Sequence, residues 1–300
     1  MRRVIINADD FGLTSGVNRA IAEAHTRGVV TSSTLMACGA KFEESVRLAS
    51  GMPELSVGCH VVLVDGSPVL GKAEVACLLS APGRHFRDGL AGFASRAITG
   101  QLDEDQIQAE IIAQIRKLQS AGIKVSHVDS HKHTHMFPLV FRALIRAATE
   151  CGVQAVRNPF EPLLFFSIRS WKRQFQLGIL RGYRANFRHE LEAAGMTTPD
   201  GCIGIAATGG LNFEIFRALM ENLPEGTWEF VCHPGYNDQE LGGIKTRLMD
   251  AREKELALLT SEEVKELLRH EQIDLISYRD FVSSANAIPK VATPLTAKST

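Results

Sequence analysis

The chain has six cysteines but no Cys-x-x-Cys pair: Cys38, Cys59, Cys77, Cys151, Cys202 and Cys232 are scattered. That excludes a dense disulfide scaffold and fits reduced, buried thiols in a cytoplasmic protein. Neither sign of charge is in excess. The formal net charge of -1 leaves a nucleic-acid partner without support. No window approaches the ~18 consecutive apolar residues of a membrane span. The apolar run after Arg3 is short and ends in Asp9 and Asp10, so it does not read as a signal peptide. What the chain does hold is core material. Hydrophobic residues make up 45% of 300, enough for one large domain in the size range of an α/β barrel.

Short apolar runs alternate with segments of helical spacing. Strands are expected at Val4–Ala8, Thr31–Met36, Leu55–Val64, Val125–Asp129, Ala155–Arg157, Ile203–Ala206, Trp228–Cys232 and Ile273–Ser277. Helices are expected at Ser15–His25 with Ser15 as N-cap, Phe42–Ser50, Glu104–Gln119, Leu139–Thr149, from Phe213, and over Glu262–Leu268. Such alternation predicts a parallel sheet covered on both faces and closed into a deformed (β/α) TIM-like barrel, a single α/β domain over residues 1–282. Residues 283–300 read as a disordered tail of small residues and prolines.

Polar clusters fall at the C-terminal ends of four of these strands, the edge at which such barrels build their sites. Four of the ten histidines lie in His127-Val-Asp-Ser-His-Lys-His-Thr-His135, sharing one parity with Asp129. If the strand stops near Ser130, His127, Asp129 and His131 share a face, with His133 and His135 on the loop beyond. Imidazoles beside a carboxylate are what a divalent metal needs, although a solvated polar turn is the plainer reading. In Asn7-Ala-Asp-Asp-Phe-Gly12, adjacent carboxylates can reach one centre only if Asp10 already lies in a turn. One would bind metal and the other act as base; a capping pair is the alternative. His60 is embedded in an apolar strand, and His233 in Cys-His-Pro-Gly-Tyr suits a general acid opposite an aspartate. Arg157 could orient a carboxylate, bind substrate or form a structural ion pair. One Asp and two His leave open positions for water and substrate, the style of a catalytic site. A glycosidase needs carboxylates ~5–10 Å apart across the sugar, which chain neighbours do not supply.

Taken together, Asn-Ala-Asp-Asp-Phe-Gly, Gly-x-His, His-x-Asp-Ser-His-x-His-x-His and His-Pro-Gly resemble the YdjC-like carbohydrate deacetylases over roughly residues 2–281, with the hopanoid biosynthesis-associated branch nearest. The resemblance implies hydrolysis of an N-acetyl group from an amino sugar. It makes Asp9 the base, Asp10, His60 and His131 the ligands of one divalent metal, and His233 the acid. Asp129, His133 and Arg157 are left to substrate or to supporting contacts. The chain departs from the family in one place: three consecutive histidines are common where this chain has His131-Lys132-His133, and strand parity favours His131 over His133 as ligand. Two nitrogens and a carboxylate suit Zn²⁺, Co²⁺ or Ni²⁺, and the resemblance also allows Mg²⁺.

Within a helical insertion at about 162–195, Leu163 to His189 contains no acidic residue and six Lys or Arg, interleaved with aromatics. Trp171 and Arg173 belong to this basic, amphipathic stretch. Such a helix suits an anionic membrane surface and a lipid-borne substrate such as an N-acetylglucosaminyl hopanoid. Packing against the barrel, or against a second subunit of a homodimer, is the alternative. A soluble chitooligosaccharide is the competing substrate, and a sugar-binding barrel that keeps the metal but not catalysis is the competing class.

Overall fold

The computed structural model describes residues 1–80, 83, 85–162 and 184–287. Seven parallel strands form its centre: β1 Arg2–Phe11, β2 Ser32–Leu35, β3 Ser56–Val61, β4 Val128–Ser130, β5 Gly201–Ile203, β6 Gly226–Cys232 and β7 Ile273–Leu275. Their order is β4-β3-β2-β1-β6-β5, with β7 paired to the start of β1. The expected Ala155–Arg157 strand is reduced to bridges, Val128 with Val156 and Ala155 with Thr197. A further bond from the Cys202 N–H to the Phe160 carbonyl carries the curl from β4 round toward β5. The result is a deformed (β/α) barrel.

Strand composition explains this centre. β1 is buried from Val4 to Phe11, as expected of a parallel strand covered on both faces. The helices outside it follow their apolar spacing. In Glu104–Ser120 the Asp103 carboxylate caps the N–H groups of Asp105 and Gln106, while Ile107, Ile111, Ile115 and Leu118 are buried. Its neighbour Pro138–Glu150 begins with proline at its first turn, where no backbone donor is lost.

Three local expectations need correction. Thr14, not Ser15, caps the helix Ser15–Thr26: its hydroxyl accepts from the Val17 N–H at 3.1 Å. The strand expected at Ile203–Ala206 is displaced to Gly201–Ile203, because Gly204 (φ +93°) turns the chain. Order also continues past 282, where a tail was expected. A helix spans Tyr278–Ala287, begun by Asp280 accepting from the Ser277 N–H at 2.9 Å and pinned by buried Tyr278 and Phe281. Among the described residues no helix is long and apolar enough to cross a membrane. Trp171 and Arg173 lie outside the described residues.

Candidate active site

Strand register assembles the site. Ala8 pairs with Cys232, so Asp9 in β1 and His233, the first residue after β6, emerge side by side. His60 pairs directly with Asp129 across β3 and β4. Parallel neighbours in register project to the same face. The His60 ring therefore lies against the Asp129 carboxylate, with Nδ1 to Oδ1 at 2.7 Å. That contact fixes the imidazole and turns its Nε2 toward Asp10, at 3.6 Å from Oδ1.

Asp10 reaches the same centre by breaking the strand's alternation. Its φ is +69°, and the β1–β2 register shifts between Ala8 and Phe11. Aspartate tolerates this left-handed conformation better than most residues. Asp10 Oδ2 accepts from Arg252 Nη2 at 2.5 Å. Oδ1, 3.3 Å from His131 Nδ1, is buried and has no hydrogen-bond partner among the described residues.

Asp9 is held differently. Arg157 grips it with Nη1 to Oδ2 at 2.9 Å and Nη2 to Oδ1 at 2.6 Å. Asn7 Nδ2 adds a third donor at 3.0 Å. The same guanidinium reaches Asp129 Oδ2 at 2.5 Å and Glu229 Oε1 at 2.6 Å. Glu229 in turn accepts from the Tyr278 hydroxyl at 2.5 Å. Arg157 is thus a fully buried ion-pair hub oriented on carboxylates. His233 stands with Nε2 3.8 Å from Asp9 Oδ2, and its backbone N–H donates to Glu255 at 2.6 Å.

The charge states follow from these contacts. Burial pushes both aspartates upward, but Arg157 beside Asp9 and Arg252 beside Asp10 outweigh it and hold both carboxyls well below the usual range. Burial lowers His60, yet Asp129 and Asp9 carry it up to about 9. Burial dominates at His233, which falls to about 4, and at His133, which falls to about 3. Glu255 is pushed up to about 7 by burial.

The structure brings together Asp9, Asp10, His60, His131, Asp129, Arg157 and His233. It gives His127 and His135 other partners. His127 stacks on Tyr278 with ring centroids 3.6 Å apart, and His135 Nδ1 lies 2.6 Å from the Ser130 hydroxyl. His133 stays near the site without joining the donor group, its Nδ1 buried and unpartnered among the described residues. His131 is the first residue after β4, not part of a continuing strand. Thr34, whose hydroxyl lies 3.1 Å from Asp129 Oδ2 and 3.2 Å from Asp9 Oδ1, joins Glu229, Tyr278, Arg252 and Glu255 as site residues with no local motif, because each sits in an ordinary strand or helix. The charge of Glu229 inside the apolar run Thr-Trp-Glu-Phe-Val-Cys was the one visible signal.

One donor atom each from Asp10, His60 and His131 lies within 4.8 Å of the other two. An orphaned carboxylate oxygen facing two imidazole nitrogens, one imidazole backed by a carboxylate, is a donor set that fits one divalent metal. Asp9, His60 and Asp129 also lie within 4.8 Å of one another, but Arg157 is ion-paired with both of those carboxylates.

The description of YdjC-like proteins matches residues 3–270. The chain belongs to the YdjC-like family. It is 33% identical to a carbohydrate deacetylase of Geobacillus stearothermophilus over 281 residues, covering 93% of this chain and 98% of that one. It is 31% identical to a carbohydrate deacetylase of Brevibacillus brevis, covering 93% and 99%. A crystal structure of a proposed cellobiose-phosphate cleavage protein of Enterococcus faecalis V583 superposes with a TM-score of 0.77 at 26% identity, covering 93% and 98% of the two chains.

Proposed function

We propose that this YdjC-like protein is a metal-dependent hydrolase that removes the N-acetyl group from an acetylated amino sugar. The observation that carries this reading is the unpartnered Asp10 Oδ1 between His60 and His131, with Asp9 and His233 paired beside it. Asp10, His60 and His131 would hold the cation. When bound, a divalent cation supplies Lewis acidity toward the amide carbonyl and toward water.

The chain's own residues move the protons. Asp9, kept ionised by Arg157, is ready to accept a proton as water adds to the acetyl carbon. Low basicity suits brief custody rather than storage. His233, neutral at rest, is 3.8 Å away and takes that proton from Asp9. With a value near 4, the charged imidazole gives it up readily to the departing nitrogen as the C–N bond breaks. The immediate products are acetic acid and the free amine, which become acetate and ammonium once the remaining acid proton passes to the amine, and the two residues return to their starting charges. Arg157 keeps Asp9 in place throughout, and Asp129 keeps the His60 tautomer.

The preferred substrate in this proposal is a glycolipid, an N-acetylglucosaminyl hopanoid being the example, met at the inner membrane surface by a cytoplasmic enzyme. Its support is the acid-free, Arg-rich aromatic stretch from Leu163 to His189, with Trp171 and Arg173. Acetate release from an N-acetylglucosaminyl lipid in anionic vesicles and from diacetylchitobiose tests both levels. Release from the lipid in preference supports the whole reading. Release from diacetylchitobiose alone, with no co-sedimentation of the protein with vesicles, leaves the deacetylase and removes the lipid. Release from neither by the metal-loaded protein rejects both.

A further inference from the structure

Asp65, four residues past β3, has a left-handed backbone with φ +56°. In the turn after β4, Lys132 and His133 are left-handed too, with φ/ψ of 54°/25° and 53°/37°. Aspartate and histidine visit this region more often than most residues; lysine has no such preference. Something in the surrounding structure has to hold Lys132 there. Its ammonium is ion-paired with Asp65 Oδ2. The other Asp65 oxygen accepts the Gly89 N–H at 2.8 Å, and the Asp65 N–H donates to the Arg87 carbonyl at 3.1 Å. Asp65 is therefore a fixed post, anchored on the 87–89 segment through backbone as well as side chain. The residue before Lys132 is His131, whose Nδ1 faces Asp10 at 3.3 Å.

We propose that the Asp65–Lys132 ion pair is a clasp that holds the left-handed turn and so sets the direction of the His131 imidazole. Asp65 and Lys132 are then positioning residues for the metal donor set. This rests on reading Asp10, His60 and His131 as that set. An ion pair between two free surface side chains contributes little. Here Asp65 is only 16% exposed and anchored at its second oxygen, and Lys132 sits on the strained backbone next to a donor. Groups that orient metal donors tune affinity by about 10- to 100-fold. A clasp one residue removed belongs at the lower end.

The test uses Co²⁺ as the probe on the full chain, with affinity from calorimetry and ligand geometry from visible absorption. The variants are Asp65→Asn, Lys132→Asn and the two combined. Asparagine tolerates the left-handed conformation. At position 65 it also keeps an acceptor for the Gly89 N–H, so each variant removes the ion pair and little else. Each single variant is expected to bind Co²⁺ about tenfold more weakly with an altered spectrum, and the double variant no more weakly than either. Singles with the affinity and spectrum of the unaltered chain, or losses that simply add, overturn the clasp while leaving the metal site intact. An unaltered chain that takes up no Co²⁺, or whose uptake survives His60→Ala, overturns the metal reading and the clasp with it.

Discussion

Asp9 and Asp10 are neighbours in the chain, yet each carboxylate has its own arginine, from 157 in one case and 252 in the other. The left-handed Asp10 is what allows two adjacent side chains to serve one centre with different tasks. Asp9→Asn keeps the shape and removes the proposed base. It should lower acetate release by at least about a hundredfold while leaving Co²⁺ affinity near that of the unaltered chain. His233 makes a second prediction, read from stability. Its folded value of about 4 lies below the 6.5 of the unfolded chain, so as pH falls from 6.5 to 4 the unfolded state takes up a proton that the folded state refuses. Stability supplied by the neutral ring is lost in that window, at up to about 1.4 kcal/mol per pH unit. Glu255 acts oppositely: raised to about 7 from 4.5, it gains its proton first in the folded state, which adds stability as pH falls between those values. Only a comparison isolates the histidine. Urea titrations of metal-free His233→Gln should show the variant gaining on the unaltered chain between pH 6.5 and 4. Parallel curves would contradict the burial argument.

At the scale of elements, what is encoded locally was legible. Helix Phe42–Ser50 appears where its spacing places it, and Glu104–Ser120 and Pro138–Glu150 lie within a residue of expectation. Helices Leu90–Ile98 and Asp250–Leu259 were missed. The first follows Gly89 and carries Gly92 within it, and a glycine inside a helix weakens its signal. The second carries buried Arg252 and Glu255, which break an apolar periodicity because they face the site. The site shows the same division. Asp9, Asp10, His60, His131 and His233 stand in recognisable short motifs. The hub from Arg157 to Glu229 and Tyr278 depends on strand register across 72 and 49 residues of chain, which no local window reports. Asp103 offers a test of an element away from the chemistry. Asp103→Ala removes the cap of Glu104–Ser120 and should lower stability by about 1 kcal/mol in urea titration, with the rate of acetate release unchanged. A changed rate would mean that this helix does more than support the 69–70 backbone, whose N–H groups Glu110 accepts at 2.8 Å and 3.1 Å.

For the whole molecule, the barrel gathers Asp10, His60 and His131 from the ends of β1, β3 and β4 and His233 from the end of β6 around one centre. A cation bound there ties separate staves together, so binding and folding should be linked. At a free metal concentration about 100-fold above Kd, the gain is about 2.7 kcal/mol, visible as a rise in thermal midpoint on adding Zn²⁺ to chelator-treated protein. Together these residues are proposed to form one metal-dependent amide-cleaving site. Its most direct measurement is acetate release from diacetylchitobiose and from the glycolipid by chelator-treated protein, before and after stoichiometric Zn²⁺, Co²⁺ or Mg²⁺, alongside Asp10→Asn. The expected result is no release without metal, release restored by at least one of the three ions, and none restored in Asp10→Asn. Release that persists in the metal-free protein, or that returns equally in Asp10→Asn, would contradict it.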